Sequence, residues 1–129
     1  MICLDSTCII DYFKGRKEAV GIVEKYEDEI VTTQVNLFEI FYGIYSRDNF
    51  EKEEKDAEEF FSSIEILPLD EGCGKSAAKI LAGLDKKGQK IEVNDCLIAG
   101  IILKNGLNKI ITRNKNHFGR IEGLEVIDY

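Results

Sequence analysis

The chain has 129 residues, 44% hydrophobic and 32% charged, which fits one domain with a real apolar core and excludes a disordered or fibrous class. No apolar run reaches the roughly 20 residues that span a bilayer. The N-terminus also lacks a basic segment followed by a long apolar one, so no signal peptide and a cytoplasmic setting are expected. A net charge of −7, from 24 acidic and 17 basic residues, argues against nucleic-acid binding by phosphate neutralisation alone; a nucleic-acid substrate would need a cation held locally.

The chain opens with an apolar run, Ile2, Cys3 and Leu4, that meets Asp5, then Ser6 and Thr7, then Ile9, Ile10, Tyr12 and Phe13 at helical spacing. This predicts a short buried strand ending in a carboxylate, followed by a helix that Gly15 stops. Asp5 then either caps that helix or marks a site at the carboxyl end of a strand, where open α/β sheets bind ligands. Ala19, Val20, Ile22, Val23 and Tyr26 predict a second helix, and Glu29–Thr32 a second strand. Thr32 and Thr33 are expected to cap a long helix ending near Tyr45, with Leu37, Phe38, Phe41, Ile44 and Tyr45 as its apolar stripe. Glu39 sits inside that helix among apolar neighbours with no cation three or four positions away, so it faces either solvent or a partner elsewhere.

Phe50–Ile64 reads as a helix whose acidic run carries Glu51–Lys55 and Lys52–Asp56 pairs on a solvated face. Glu65–Leu69 is a third strand, and Pro68 suits an edge or a strand end. Asp70 is expected to cap the next helix, with Ala77, Ala78, Ile80, Leu81 and Leu84 inward and a stop at Lys86–Lys87–Gly88. Asn94 and Asp95 open a nearly all-apolar helix from Cys96 to Leu103, closed by Asn105–Gly106 and expected to be covered on all sides. Lys109–Thr112 is a fourth strand, a turn with Phe118 and Ile121 follows, and Leu124–Ile127 is the last strand. Strands alternating with helices give a parallel α/β sandwich in a single domain over residues 1–129.

The four cysteines, Cys3, Cys8, Cys73 and Cys96, form no C-x-x-C pair and are expected as buried free thiols. The single histidine, His117, speaks against a zinc or histidine-based site and is expected on the surface of its turn. Asp5, Glu39 and Asp95 are the carboxylates in apolar or helix-start settings, and Asn114 follows the fourth strand. If strands one and four are neighbours, Asp5 and Thr112–Asn114 leave the sheet on the same edge. Clustered carboxylates need a compensating cation. Oxygen ligands select magnesium or manganese, which polarises phosphoryl oxygens and activates water, so phosphodiester hydrolysis is the chemistry such a set suits.

Four segments, Ile2–Thr7 (ICLDST), Asn36–Ile40 (NLFEI), Val93–Ala99 (VNDCLIA) and Ile111–Phe118 (ITRNKNHF), resemble in order those of PIN-domain nucleases, and the size and order are similar to VapC-type toxins. The resemblance implies a three-layer α/β sandwich around a mainly parallel sheet of about five strands. It also implies a Mg2+- or Mn2+-dependent ribonuclease acting on RNA, a homodimer, and inhibition by a VapB-type antitoxin whose basic or apolar tail enters the acidic site. Carried over by position, Asp5, Glu39 and Asp95 hold the metal, and Thr112 and Ser6 line the site wall. Asn114 stands where many members have Asp; an amide oxygen can coordinate a hard cation but brings no charge, so one ion or two is left open. Arg113 and Lys115 are candidates for RNA phosphate contacts or ordinary turn residues.

Two other readings compete. A catalytically silent PIN-like module would bind RNA or a partner without cleavage, with Asn114 as its signature. A haloacid-dehalogenase-type phosphatase also starts from an Asp after strand one, but expects a second acid where this chain has Thr7.

Overall fold

The computed structural model describes residues 1–129. Strands β1 (Ile2–Leu4), β2 (Ile30–Thr33), β3 (Glu65–Leu67), β4 (Lys109–Ile111) and β5 (Glu125–Ile127) form one sheet in the order β3-β2-β1-β4-β5. Every neighbouring pair is parallel. The crossovers are α1 (Ser6–Phe13), α2 (Lys17–Lys25), α3 (Gln34–Tyr45), α4 (Glu51–Ser62), α5 (Cys73–Lys86), α6 (Val93–Lys104) and the single turn α7 (Lys115–Phe118). This is the expected three-layer sandwich.

Strand alternation divides the core in two. Ile2, Leu4, Ile30 and Ile111 point toward α1–α4, where they meet Cys8, Ile9, Val23, Ile40, Ile44 and Phe61. Cys3, Val31 and Ile110 point the other way, against Cys73, Ala77, Ile98, Ile101 and Phe118. Central parallel strands buried on both faces read as continuous apolar runs for this reason. Each fully buried Ile or Leu contributes roughly 1.5–3 kcal/mol relative to exposure. Helix α6 is covered almost all round, as its sequence predicts: Cys96, Ile98, Ala99, Gly100, Ile101 and Ile102 are all buried. Gly100 permits its close approach to α5, because a Cβ there would stand 3.0 Å from both the Ala77 nitrogen and the Cys73 carbonyl oxygen. All four cysteines are buried free thiols.

Several local expectations are corrected. Thr33, not Thr32, caps α3 by accepting from the Asn36 N–H, while the Thr32 hydroxyl donates to the Leu4 carbonyl between strands. The inward face of α3 is Val35, Asn36, Ile40 and Ile44; Phe38 and Tyr45, placed on the apolar stripe by spacing, are 59% and 50% exposed. A helix that packs at its N-terminal end against a polar cluster buries a different stripe from the most hydrophobic one. Asp70 does not cap α5, whose N-cap is Gly72 in the left-handed region; its carboxylate instead pairs with Lys104 at 2.6 Å. Ala78 faces solvent. On α4 the Lys52–Asp56 pair forms at 3.0 Å and Glu51–Lys55 does not. Pro68 follows β3, an edge strand, as its missing donor requires.

Candidate active site

β1 and β4 are hydrogen-bonded neighbours with Leu4 opposite Ile111, so Asp5 and Thr112 emerge side by side at the carboxyl edge of the sheet. α3 and α6 start at the same edge and bring Glu39 and Asp95. A cleft of about 420 Å³ is lined by Asp5, Ser6, Glu39, Glu92, Asp95 and Asn114, among others. The three carboxylates singled out in the sequence therefore converge, and Ser6 and Asn114 join them.

Neutral donors hold them in place. Asp5 occupies the N-cap of α1, yet its carboxylate makes no capping hydrogen bond to the helix. Its Oδ2 accepts from the Thr112 hydroxyl at 2.6 Å and the Thr7 hydroxyl at 3.1 Å. Its Oδ1 accepts from Asn36 Nδ2 at 3.1 Å. The Asn36 amide is itself fixed, because Thr33 Oγ1 donates to its oxygen at 2.8 Å and leaves only the nitrogen to face the site. That nitrogen also donates to Ser6 Oγ at 3.0 Å, and the Ser6 hydroxyl donates to Glu39 Oε1 at 2.8 Å. Asn94 Nδ2 lies 3.4 Å from Glu39 Oε2. Glu39, left open in the sequence between solvent and a partner, is half-buried with two neutral partners.

On the other side, the Asn114 backbone N–H donates to Thr112 Oγ1 at 2.9 Å, and its side-chain nitrogen donates to Asp95 Oδ2 at 3.0 Å. The same Asp95 oxygen lies 2.7 Å from His117 Nδ1. His117, expected on the surface of its turn, is only half-exposed there, with its ring turned to Asp95. Arg113 and Lys115 are each engaged by an acid, Arg113 Nε with Asp11 Oδ2 at 2.9 Å and Lys115 Nζ with Asp128 at 3.0 Å.

The charge of the cluster is unmet. Neither Asp5 nor Glu39 forms an ion pair with any lysine or arginine, and the only ion-pairing group at Asp95 is His117. Burial pushes the Asp5 carboxyl up to about 6; the Thr112 hydroxyl opposes this, and the charges of Asp95 and Glu39 reinforce it. Burial also raises Asp95, against the pull of His117 and Asn114. Like charges gathered in a partly dry cleft favour proton uptake or a cation. The donor set is all oxygen, which suits a hard divalent ion. No three His, Cys, Asp or Glu side chains form a ready-made ligand cage, and a Mg2+-like ion does not require one, since it keeps several waters and binds through one or two carboxylates.

Asn36, Thr7, Asn94, Glu92 and His117 were not assigned site roles from sequence. Asn36 had a usable signal: it is three residues after Thr33, at the spacing of a reciprocal cap, inside an otherwise apolar stretch. The others carry no signal separable from ordinary polar residues.

The profile of the PIN domain family matches residues 2–124. The tRNA(fMet)-specific endonuclease VapC of Shigella flexneri is 29% identical over 98% of this chain and 96% of its own length. Its namesake in Salmonella typhimurium is 30% identical with the same coverage. Among solved structures, DNA-bound VapBC from Salmonella typhimurium superposes with a TM-score of 0.87 at 26% identity, covering 99% of this chain and 98% of the other. VapBC2 from Rickettsia felis, bound to a promoter DNA fragment, gives 0.89 at 23% identity over 100% and 99%.

Proposed function

From the chain's membership of the PIN domain family, shown by the match over residues 2–124, we propose that it is a divalent-metal-dependent endoribonuclease and the toxin of a VapBC-type pair. The observation that carries the reading is the convergence of buried Asp5 and Asp95 with half-buried Glu39 in one cleft, where Asp5 and Glu39 have only neutral donors and no counter-ion. One domain, residues 1–129, houses the activity. The family match leaves no place for the haloacid-dehalogenase reading, and Thr7, where that chemistry wants an acid, is bonded to Asp5.

Asp5, Glu39 and Asp95 would hold Mg2+ or Mn2+, which supplies Lewis acidity toward a phosphodiester and an acidified water for in-line attack. Thr112, Thr7 and Asn36 hold the Asp5 carboxylate in one orientation, so no reorganisation accompanies substrate entry. Ser6 and Asn94 do the same for Glu39. The Asn114 side-chain oxygen, Oδ1, accepts from no protein donor, since only Nδ2 of that amide is engaged, and it is available to orient water in the cleft. Arg113 and Lys115 flank the edge of the site as candidate phosphate contacts in the RNA complex.

Partners follow from the relatives. Solved neighbours include two DNA-bound VapBC assemblies and a toxin–antitoxin complex from Klebsiella pneumoniae, and a VapB-type antitoxin is the partner proposed here. A cleft between α1, α3 and α4, lined in part by Ile10, Phe13, Ile40 and Ile44, shares Glu39 with the acidic cleft and would receive an apolar antitoxin segment leading a basic one into the site. The exposed aromatic side chains of α3, Phe38 and Tyr42, suit a homodimer contact. No helix is long and apolar enough to cross a membrane.

The test is cleavage of total RNA and of tRNA, initiator tRNA included, by wild type and Asp95→Asn with Mg2+, Mn2+ or chelator. Discrete products that need metal and vanish in the variant are expected. Folded wild-type protein that binds RNA without cutting it under either metal would favour the silent module instead.

A further inference from the structure

His117 has no part in the proposal above, yet it is tied to Asp95 more closely than any other side chain is. The helical turn that carries it is rigidly set. Phe118 is fully buried in the core on the α6 side of the sheet. The Asn114 carbonyl accepts from the backbone N–H groups of His117 and Phe118. Gly119 closes the turn where a Cβ would stand 2.5 Å from the Lys115 carbonyl oxygen. The imidazole is thereby aimed at α6, and its Nδ1 lies 2.7 Å from Asp95 Oδ2, a distance typical of a hydrogen bond to a charged acceptor. An ionised carboxylate oxygen only accepts, so with Asp95 ionised Nδ1 carries the hydrogen, and Asn114 Nδ2, itself 3.0 Å from Nδ1, directs its hydrogen to Asp95 rather than to the ring.

Asn114 Nδ2 reaches the same oxygen at 3.0 Å. Two donors therefore saturate Oδ2. No side chain or backbone group donates to Oδ1, and no buried side-chain polar atom in the protein lacks a partner; Oδ1 must then open to the cleft. We propose that His117 is a positioning residue for Asp95: its Nδ1–H, with the Asn114 amide, holds Oδ2 and leaves Oδ1 as the one oxygen that Asp95 offers a divalent cation. This rests on the reading of Asp95 as a metal-holding carboxylate. Groups that orient a ligand from behind are commonly worth 10- to 100-fold in metal affinity.

The experiment is Mn2+ binding by titration calorimetry on the full chain, with RNA cleavage and thermal unfolding measured alongside, for wild type, His117→Ala, His117→Asn and His117→Gln. An Asn amide nitrogen falls where Nδ1 stands, whereas Gln places its amide nearer to Nε2. The expected result is Mn2+ binding weakened about 10-fold or more in His117→Ala, largely restored in His117→Asn and not in His117→Gln, with cleavage by His117→Ala recovering at saturating Mn2+. Wild-type affinity in His117→Ala, or Asn performing no better than Gln, overturns the positioning role. So does a cleavage defect that excess Mn2+ leaves untouched, since that would place the ring on the reacting atoms. If His117→Ala fails to fold, the Asn–Gln pair decides alone. Absence of Mn2+ binding by folded wild type is a different result: it removes the metal reading of Asp95 itself, and the proposal with it.

Discussion

Asp5 and Asp11 are both buried, one at the start of α1 and one within it, and they are satisfied in opposite ways. Asp11 meets Arg16 Nε at 3.1 Å, Arg113 Nε at 2.9 Å and the Tyr129 hydroxyl at 2.8 Å. Asp5 meets two hydroxyls and an amide, with no arginine or lysine and with two further carboxylates close enough to raise its proton affinity. Asp11 is a joint that fastens α1 to the segment after β4 and to Tyr129. Asp5 is held but not neutralised. A buried carboxylate whose charge is met by cations has done its work on folding, whereas one surrounded by neutral donors still has charge to offer a ligand.

The sharpest way to break this contrast is to remove each charge in turn. Asp5→Asn and Asp95→Asn are each expected to lower RNA cleavage by about 10³-fold, matching the several kcal/mol that a bound cation supplies to the transition state. Asp5→Asn should also raise the thermal midpoint in chelator. The amide keeps the shape, the Thr7 and Thr112 hydroxyls can turn to accept its hydrogens, and one member of a repelling cluster is gone. Unfolding of Asp5→Asn would show that Asp5 belongs with Asp11 as a structural residue.

The second effect is pH dependence. The folded protein holds the Asp5 proton more tightly than the unfolded chain does, with the carboxyl at about 6 against 3.8. Stability from this group is therefore highest below about pH 4, falls as pH rises from 4 to 6, and stays low above that. At about 1.4 kcal/mol for each tenfold in proton affinity, the loss by pH 7 is roughly 3 kcal/mol. Chemical denaturation in chelator at pH 4 and pH 7 should show the wild type losing about that much relative to Asp5→Asn. Added Mn2+ should close the gap at pH 7. Parallel pH curves for the two proteins would show that the charge of Asp5 is already compensated.

The contrast between the two aspartates was only half legible in the sequence. The strands, their order along the chain and the all-apolar α6 follow from runs such as Ile2–Leu4 and Ile98–Leu103, because burial on both faces leaves no choice of residue. Asp5, Glu39 and Asp95 stood out as acids in apolar surroundings. Asp11 drew no attention, since its partners Arg113 and Tyr129 lie more than 100 residues away and no local spacing reports them. The same limit hid the two donors on Asp95 and turned the α3 stripe. Phe38 and Tyr45 are the larger hydrophobes, but Asn36, its amide fixed by Thr33, must face Asp5, and that rotates the helix. Polar networks between elements override amphipathic pattern wherever a site is built.

On the structural side of the comparison, Asp11→Ala is expected to cost about 2 kcal/mol. It deletes two ion pairs at a carboxylate that is only 11% exposed and strands the Tyr129 hydroxyl, although the half-exposed arginines temper the loss. Urea denaturation measures this, and cleavage by the folded variant should stay at the wild-type level. A variant as stable as wild type but inactive would instead tie Asp11 to the site through Arg113.

The smallest effect separates Arg113 from Lys115. Arg113 is locked to Asp11 and lies over the Tyr129 ring, 5.2 Å from its centroid, so its substitution mixes stability with any RNA contact. Lys115 pairs with Asp128 where both side chains are at least half exposed, and such a pair contributes between 0 and about 1 kcal/mol. Lys115→Ala is therefore a clean probe. If the lysine leaves Asp128 for an RNA phosphate, the variant should keep its unfolding midpoint. Its log–log plot of RNA affinity against salt should then lose about 0.7 in slope, the share of one phosphate contact on a single strand. An unchanged slope would leave Lys115 as a solvated turn residue, and the RNA path would have to be carried by cations elsewhere on the rim, of which Lys14 and Arg47 border the neighbouring cleft.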